Sequence, residues 1–125
     1  MDTLASKNLI AVVSGDEAVR DSIGALLENH GFDIAGFASA AEFLRLCPKA
    51  SVLILDGSMP EVDGLELAEI LRVGGIETPV ILMVDLNNDI TARRIQAARL
   101  CMTLKKPVTA NDLVRAIQRF GVTAH

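Results

Sequence analysis

The chain has no tryptophan and no tyrosine, and only four phenylalanines among 125 residues. Its interior must therefore be aliphatic, and it has no aromatic platform for stacking bases. No apolar run approaches the roughly 18 to 20 residues that span a bilayer as a helix. The opening, MDTLASKNLIAVV, lacks the positively charged start and small-residue cleavage site of a secretory signal. Two cysteines, Cys47 and Cys101, lie far apart with no metal-ligand spacing. Both read as ordinary apolar side chains in a reducing, cytoplasmic setting. Bases are outnumbered, 12 against 16 acids, so the net charge is −4 and no overall basic field attracts nucleic acid. Half the residues are hydrophobic and 22% are charged, which excludes a disordered chain. There is no internal repeat or low-complexity tract. The length suits one domain over residues 1–125, with 121–125 a linker or tail.

Short apolar runs alternate with amphipathic stretches. Residues 8–13 (NLIAVV), 32–37, 51–55 (SVLIL), 79–84 (PVILMV) and 102–104 read as strands, most of them apolar enough to be buried on both faces. Asp16 can cap a first helix that carries Val19, Ile23, Leu26 and Leu27 on one side and stops at Gly31. Ser39 and Glu42 have the spacing of a capping box, opening a second helix that ends near Pro48. A third helix runs from about Gly64 to Val73, stopped by Gly74-Gly75. A polar loop over residues 85–89 leads to a fourth helix ending near Leu100. Thr109 to Asp112 open a fifth, which buries Leu113, Ile117 and Phe120. Strand–helix alternation of this kind implies an α/β fold, a doubly wound parallel five-stranded sheet with helices on both faces. In such sheets chemistry sits beyond the carboxyl ends of the strands. That directs attention to Ser14-Gly15-Asp16, Asp56, Val84-Asp85 and Lys105-Lys106.

The segment VLILDGSMPEVDG, residues 52–64, resembles the phosphoacceptor loop of bacterial two-component response-regulator receiver domains. An apolar strand, an Asp, two residues, Met-Pro, three residues and a Gly correspond here to Asp56, Met59-Pro60 and Gly64. LKKPV, residues 104–108, resembles the Lys-Pro loop of the same family. The resemblance covers essentially the whole chain and implies a CheY-like, flavodoxin-like (βα)5 fold with strand order 2-1-3-4-5. It also implies phosphorelay signalling, with a sensor histidine kinase or phosphotransfer protein as partner and Mg²⁺ as cofactor. By position, Asp56 is the phosphoacceptor, Lys106 the phosphate-binding lysine, and Ser58 the residue offering its carbonyl to the metal. In the family an acidic pair after the first strand completes the metal site. A Thr or Ser after the fourth strand and an aromatic on the fifth form the switch. Helix four, strand five and helix five often form the partner face.

The departures are specific. Ser14 and Gly15 stand where the acidic pair belongs, and only Asp16, third in the run, keeps a carboxylate. The usual pair with the acceptor and the lysine sums to −2. Here Asp56 and Lys106 cancel, leaving −1 only if Asp16 reaches inward. A hard dication loses most of its attraction when two carboxylates go. Val84 replaces the switch hydroxyl, Thr103 replaces the switch aromatic, and Asp85 fills a position that is usually small. Asp85 can be a solvated loop acid, a partner for Lys106 or a displaced metal ligand. Arg99 replaces a Gly that commonly precedes strand five. Lys105 reads as plain surface.

Three functions are consistent with these residues. The first is an atypical receiver that is not an enzyme and signals by docking, with metal binding at Asp16, Asp56 and Ser58 weak or absent. The second is an ordinary Mg²⁺-dependent receiver whose pocket is rebuilt by Asp16 and Asp85. The third, a small-molecule or enzymatic flavodoxin-like domain, lacks a glycine-rich phosphate loop after the first strand and any nucleophile beside His30 or His125. The basic residues Arg93, Arg94, Arg99, Arg115 and Arg119 form either a solvated face or a docking face. The face would take an acidic partner, an output domain or a second copy.

Overall fold

The computed structural model describes residues 8–59, 61–85 and 92–124. Five strands, β1 (Leu9–Val13), β2 (Asp33–Phe37), β3 (Val52–Asp56), β4 (Val80–Val84) and β5 (Cys101–Lys105), alternate with five helices. The helices are α1 (Glu17–Asn29), α2 (Ala40–Leu46), α3 (Gly64–Val73), α4 (Ala92–Ala98) and α5 (Ala110–Arg119). All strand pairings are parallel, in the order β2-β1-β3-β4-β5. This is the α/β architecture expected from the strand–helix alternation.

The sheet's two faces carry separate cores. Strand side chains alternate, so Ile10, Val12, Ile54, Ile81 and Met83 meet the helix residues Ile23, Leu27, Leu113 and Ile117 on one face. Val13, Leu53, Leu55 and Leu82 meet Phe43, Leu67 and Leu71 on the other. Phe37 and Phe43 add an edge-to-face pair at 5.2 Å. The core is aliphatic because the composition allows little else.

Helix ends follow local chemistry, with three differences from the sequence reading. Asp16 caps α1 as expected, its carboxylate accepting from the Ala18 and Val19 amides at 3.0 and 3.3 Å. The Ser39 box forms only half: Ser39 Oγ accepts from Glu42 N, but the Glu42 carboxylate turns to the Ala38 amide at 2.7 Å. The complete box belongs to α3, where Asp63 and Glu66 each accept from the other's backbone. Cys47 is no core residue; it is the exposed, left-handed C-cap of α2. Phe120, placed in the core by the sequence reading, is only half-buried.

Helix α4 stops at Ala98 rather than near Leu100, because Arg99 and Leu100 both take positive φ, 59° and 45°. This is where the family's glycine is missing, and a left-handed L-residue costs roughly 1–2 kcal/mol. The turn is held from outside. Arg72 donates to the carbonyls of Ala98 (2.6 Å), Arg99 (2.9 Å) and Ile76 (2.9 Å), satisfying acceptors that the helix end leaves open. Burial lowers the Arg72 pKa from its ordinary value, with Glu77 opposing. Arg99 itself pairs with Glu77, and Arg94 forms a two-pronged pair with Glu69. That hydrogen bond raises the Arg94 pKa. Two of the five arginines of the supposed docking face therefore have acidic partners within the chain.

Two outcomes follow. Arg99→Gly removes the left-handed strain, and should raise unfolding stability by about 1 kcal/mol, measured by urea titration with circular dichroism. Cys47 is exposed, whereas burial pushes the half-buried Cys101 thiol up. A thiol-alkylating reagent at mildly alkaline pH should label Cys47 first, as peptide mass spectrometry would show.

Candidate functional site

The carboxyl ends of β1, β3, β4 and β5 bring four segments to one cleft. Asp56 is the last residue of β3, and its side chain is 7% exposed. Lys106 follows β5, and its ammonium donates to Asp56 Oδ1 at 2.7 Å across a sequence gap of fifty residues. Ser58 N–H donates to the same oxygen at 3.0 Å. The other oxygen, Oδ2, accepts from the Ser14 hydroxyl at 3.0 Å. Ser14 is fully buried, and its Oγ also accepts from the Asp16 amide at 3.2 Å. Both acceptor oxygens of Asp56 therefore have fixed protein donors.

The backbone explains why the acidic strand end can be buried. Gly57 N–H donates to Met83 O and Lys106 N–H to Val84 O, tying the three loop beginnings together. Gly64 lies directly over the Asp56 peptide: a Cβ there would stand 2.5 Å from the Asp56 carbonyl oxygen and 2.6 Å from Leu82 Cδ1. A glycine eight residues after the aspartate is thus a packing requirement.

Other residues singled out in the sequence occupy distinct places. Asp16 lies on the rim of the cleft with Asp56 and Lys106, but its Oδ1 is engaged in capping α1. Asp85 is exposed, 3.4 Å from Ser58 Oγ and 3.9 Å from Lys106 Nζ. Val84 is half-buried at the end of β4, and Thr103 is exposed on β5. Lys105 is exposed. Pro60 and residues 86–89 of the polar loop fall outside the described residues. Among the described residues, no three His, Cys, Asp or Glu side chains cluster as a metal site.

Two contributors escaped the sequence reading. The Ser14 hydroxyl was counted only as a missing carboxylate. Arg20 donates to the Ser14 carbonyl at 2.6 Å, bracing the loop that holds the hydroxyl. No motif signals Arg20; only the packing of α1 beside β2 brings it there. A cleft of about 370 Å³, floored by Val19, Ile23, Met83 and Val108, opens beside Asp56.

Residues 10–118 match the family model of the response regulator receiver domain. The chain belongs to that family. Receivers are signalling domains of two-component systems, and they generally use Mg²⁺ and interact with histidine kinases or phosphotransfer proteins. This receiver is 29% identical over 120 residues to the transcriptional regulatory protein FixJ of Bradyrhizobium diazoefficiens, covering 92% of the chain and 57% of that protein. It is 30% identical to the tetrathionate response regulatory protein TtrR of Salmonella typhimurium, covering 88% and 54%. The receiver thus spans a little over half the length of these relatives. Among solved structures, FixJ-N superposes with a TM-score of 0.80 at 28% identity, covering 90% of this chain and 91% of that one. A receiver domain protein from Clostridium thermocellum gives 0.79 at 28%, covering 90% and 92%. No described helix is long and apolar enough to cross a membrane.

Gly64→Ala should force the Asp56 carbonyl or Leu82 to move, and overpacking of this kind costs about 1–3 kcal/mol. The expected outcome is a lowered urea midpoint, with the largest amide NMR shifts around Asp56 and Leu82.

Proposed function

We propose that this receiver is atypical: it signals by docking a sensor histidine kinase or phosphotransfer protein, with phosphorylation at Asp56 weak or absent. The observation that carries this reading is the saturation of the Asp56 carboxylate by Lys106, Ser58 N–H and Ser14. In the family's pattern the position of Ser14 carries a carboxylate for the metal. A hydroxyl there donates to Asp56 and adds no negative charge. Asp16 is committed to the α1 cap. The donor set is a poor fit for Mg²⁺, which favours several oxygen ligands including carboxylates, and no step is assigned to a metal here.

Asp56 nevertheless retains the chemistry of an acceptor. If a phosphohistidine is presented in line, a carboxylate oxygen attacks phosphorus, the P–N bond breaks, and the imidazole leaves and takes up a proton. Lys106 would follow the charge onto the new phosphoryl group as a point cation. The response is what lacks support. Val84 offers no hydroxyl to a phosphoryl oxygen, and Thr103 provides no ring to follow it. On this reading the partner-facing surface is populated with little dependence on Asp56.

One observation favours the second reading, an ordinary Mg²⁺-dependent receiver with a rebuilt pocket. Asp85 faces Lys106 and Ser58 and could return one carboxylate to the cleft. Asp16 would have to leave its cap to return another.

Intact-mass measurement after incubation with Mg²⁺ and acetyl phosphate separates the two. The atypical reading expects little or no phosphate adduct; a stoichiometric adduct lost in Asp56→Asn supports the rebuilt pocket. Asp85→Ala should raise any adduct if Asp85 merely repels the donor, and abolish it if Asp85 is a replacement ligand. Restoring Ser14→Asp, Gly15→Asp and Val84→Thr together should increase Mg²⁺ affinity by about tenfold or more, the factor that 1.4 kcal/mol supplies. NMR titration would measure it, and unchanged affinity would refute the account of the site.

A further inference from the structure

Charge is sorted along this chain. From residue 92 onward lie seven of its twelve bases and one of its sixteen acids. A self-contact across the β5 edge would set Arg93, Lys105 and Arg119 against copies of themselves, and like charges facing each other oppose such a pairing. The neighbouring face is different. Helices α1 and α5 pack on the same face of the sheet, over Ile23, Leu27, Leu113 and Ile117. Each follows a parallel strand, so both start at the carboxyl end of the sheet and run the same way. The outer surface of α1 exposes Asp21 and Glu28; that of α5 exposes Arg115 and Arg119. None of these four has an ion-pair partner among the described residues.

We propose that this face joins two copies of the chain about a two-fold axis parallel to the helices, the acidic side of α1 in each copy resting against the basic side of α5 in the other. Rotation about that axis exchanges the positions of α1 and α5 without reversing their direction. Opposite charges therefore meet twice, and the contact closes on itself instead of propagating. The heights agree. Asp21 is the fifth residue of α1 and Arg115 the sixth of α5; Glu28 is the twelfth and Arg119 the tenth. At about 1.5 Å per residue the members of each pair differ by only about 1.5 and 3 Å along the helix. Between the charged residues α1 exposes the short side chains Ala18, Ser22 and Ala25, which allow close approach. The contact is mostly polar, so the pairing is weak and sensitive to salt. It does not use Asp56 and goes beyond the signalling reading.

Sedimentation equilibrium with interference optics suits a chain without tryptophan or tyrosine. The weight-average mass should rise above 13.3 kDa with concentration at low salt and return to it at high salt. The double variants Asp21→Lys with Glu28→Lys, and Arg115→Glu with Arg119→Glu, should each stay monomeric while keeping the wild-type circular dichroism. Mixed in equal amounts they should associate again, because each supplies the charges the other needs. Asp56→Asn should sediment as wild type whatever the phosphorylation assay shows. A wild-type chain that stays monomeric at millimolar concentration overturns the proposal. So does stronger self-association after reversing Arg115 and Arg119, or a mixture that fails to associate.

Discussion

The 2.7 Å contact between Lys106 and Asp56 is the constraint around which the site is arranged. It joins the ends of β3 and β5, which are not neighbours in the sheet, across the loop that follows β4. A carboxylate with 7% of its side chain exposed needs a partner to remain charged. Lys106 supplies it, and the strand ends can then pack tightly enough for Gly64 to lie over the Asp56 peptide. The Ser14 hydroxyl fits the same scheme, completing the solvation of Asp56 without adding charge.

That arrangement also explains why the loss of the acidic pair did not destroy the cleft. Two adjacent carboxylates beside Asp56 would repel it unless a cation lay between them. Replacing them with a serine and a glycine leaves a near-neutral site that the lysine alone can balance. What is given up is attraction for a divalent ion. What is kept is a nucleophile at a strand's end, an adjoining cleft of about 370 Å³, and a rim on which Asp85 is the one described carboxylate facing Lys106.

Stability at the far end of the sheet rests on a different device. The turn after α4 lacks its glycine and carries two left-handed residues. Arg72, from α3, offsets the strain by donating to three carbonyls on both sides of the turn. Arg94 and Arg99 are drawn into ion pairs with Glu69 and Glu77, so the basic character of the C-terminal third is concentrated on Arg93, Lys105, Arg115 and Arg119.

Most of the fold was legible in the residues. Five apolar runs, a cap at Asp16 and glycine stops at Gly31 and Gly74 placed the elements, because backbone hydrogen bonding and burial act locally and repeat with a fixed period. The bounds of α3 and the segment order needed nothing more. The Asp63–Glu66 box was equally legible and was overlooked. Asp56 and Lys106 could be singled out because chemistry in a parallel sheet collects at its carboxyl edge. Tertiary structure decided the rest. Which carboxylates reach Asp56, the turn of the Ser14 hydroxyl toward it, the reach of Arg20 and Arg72 for carbonyls, and the exposure of Cys47 all depend on segments far apart in the chain. No period or spacing encodes those distances; they arise only when the strands align and the helices settle on their two faces.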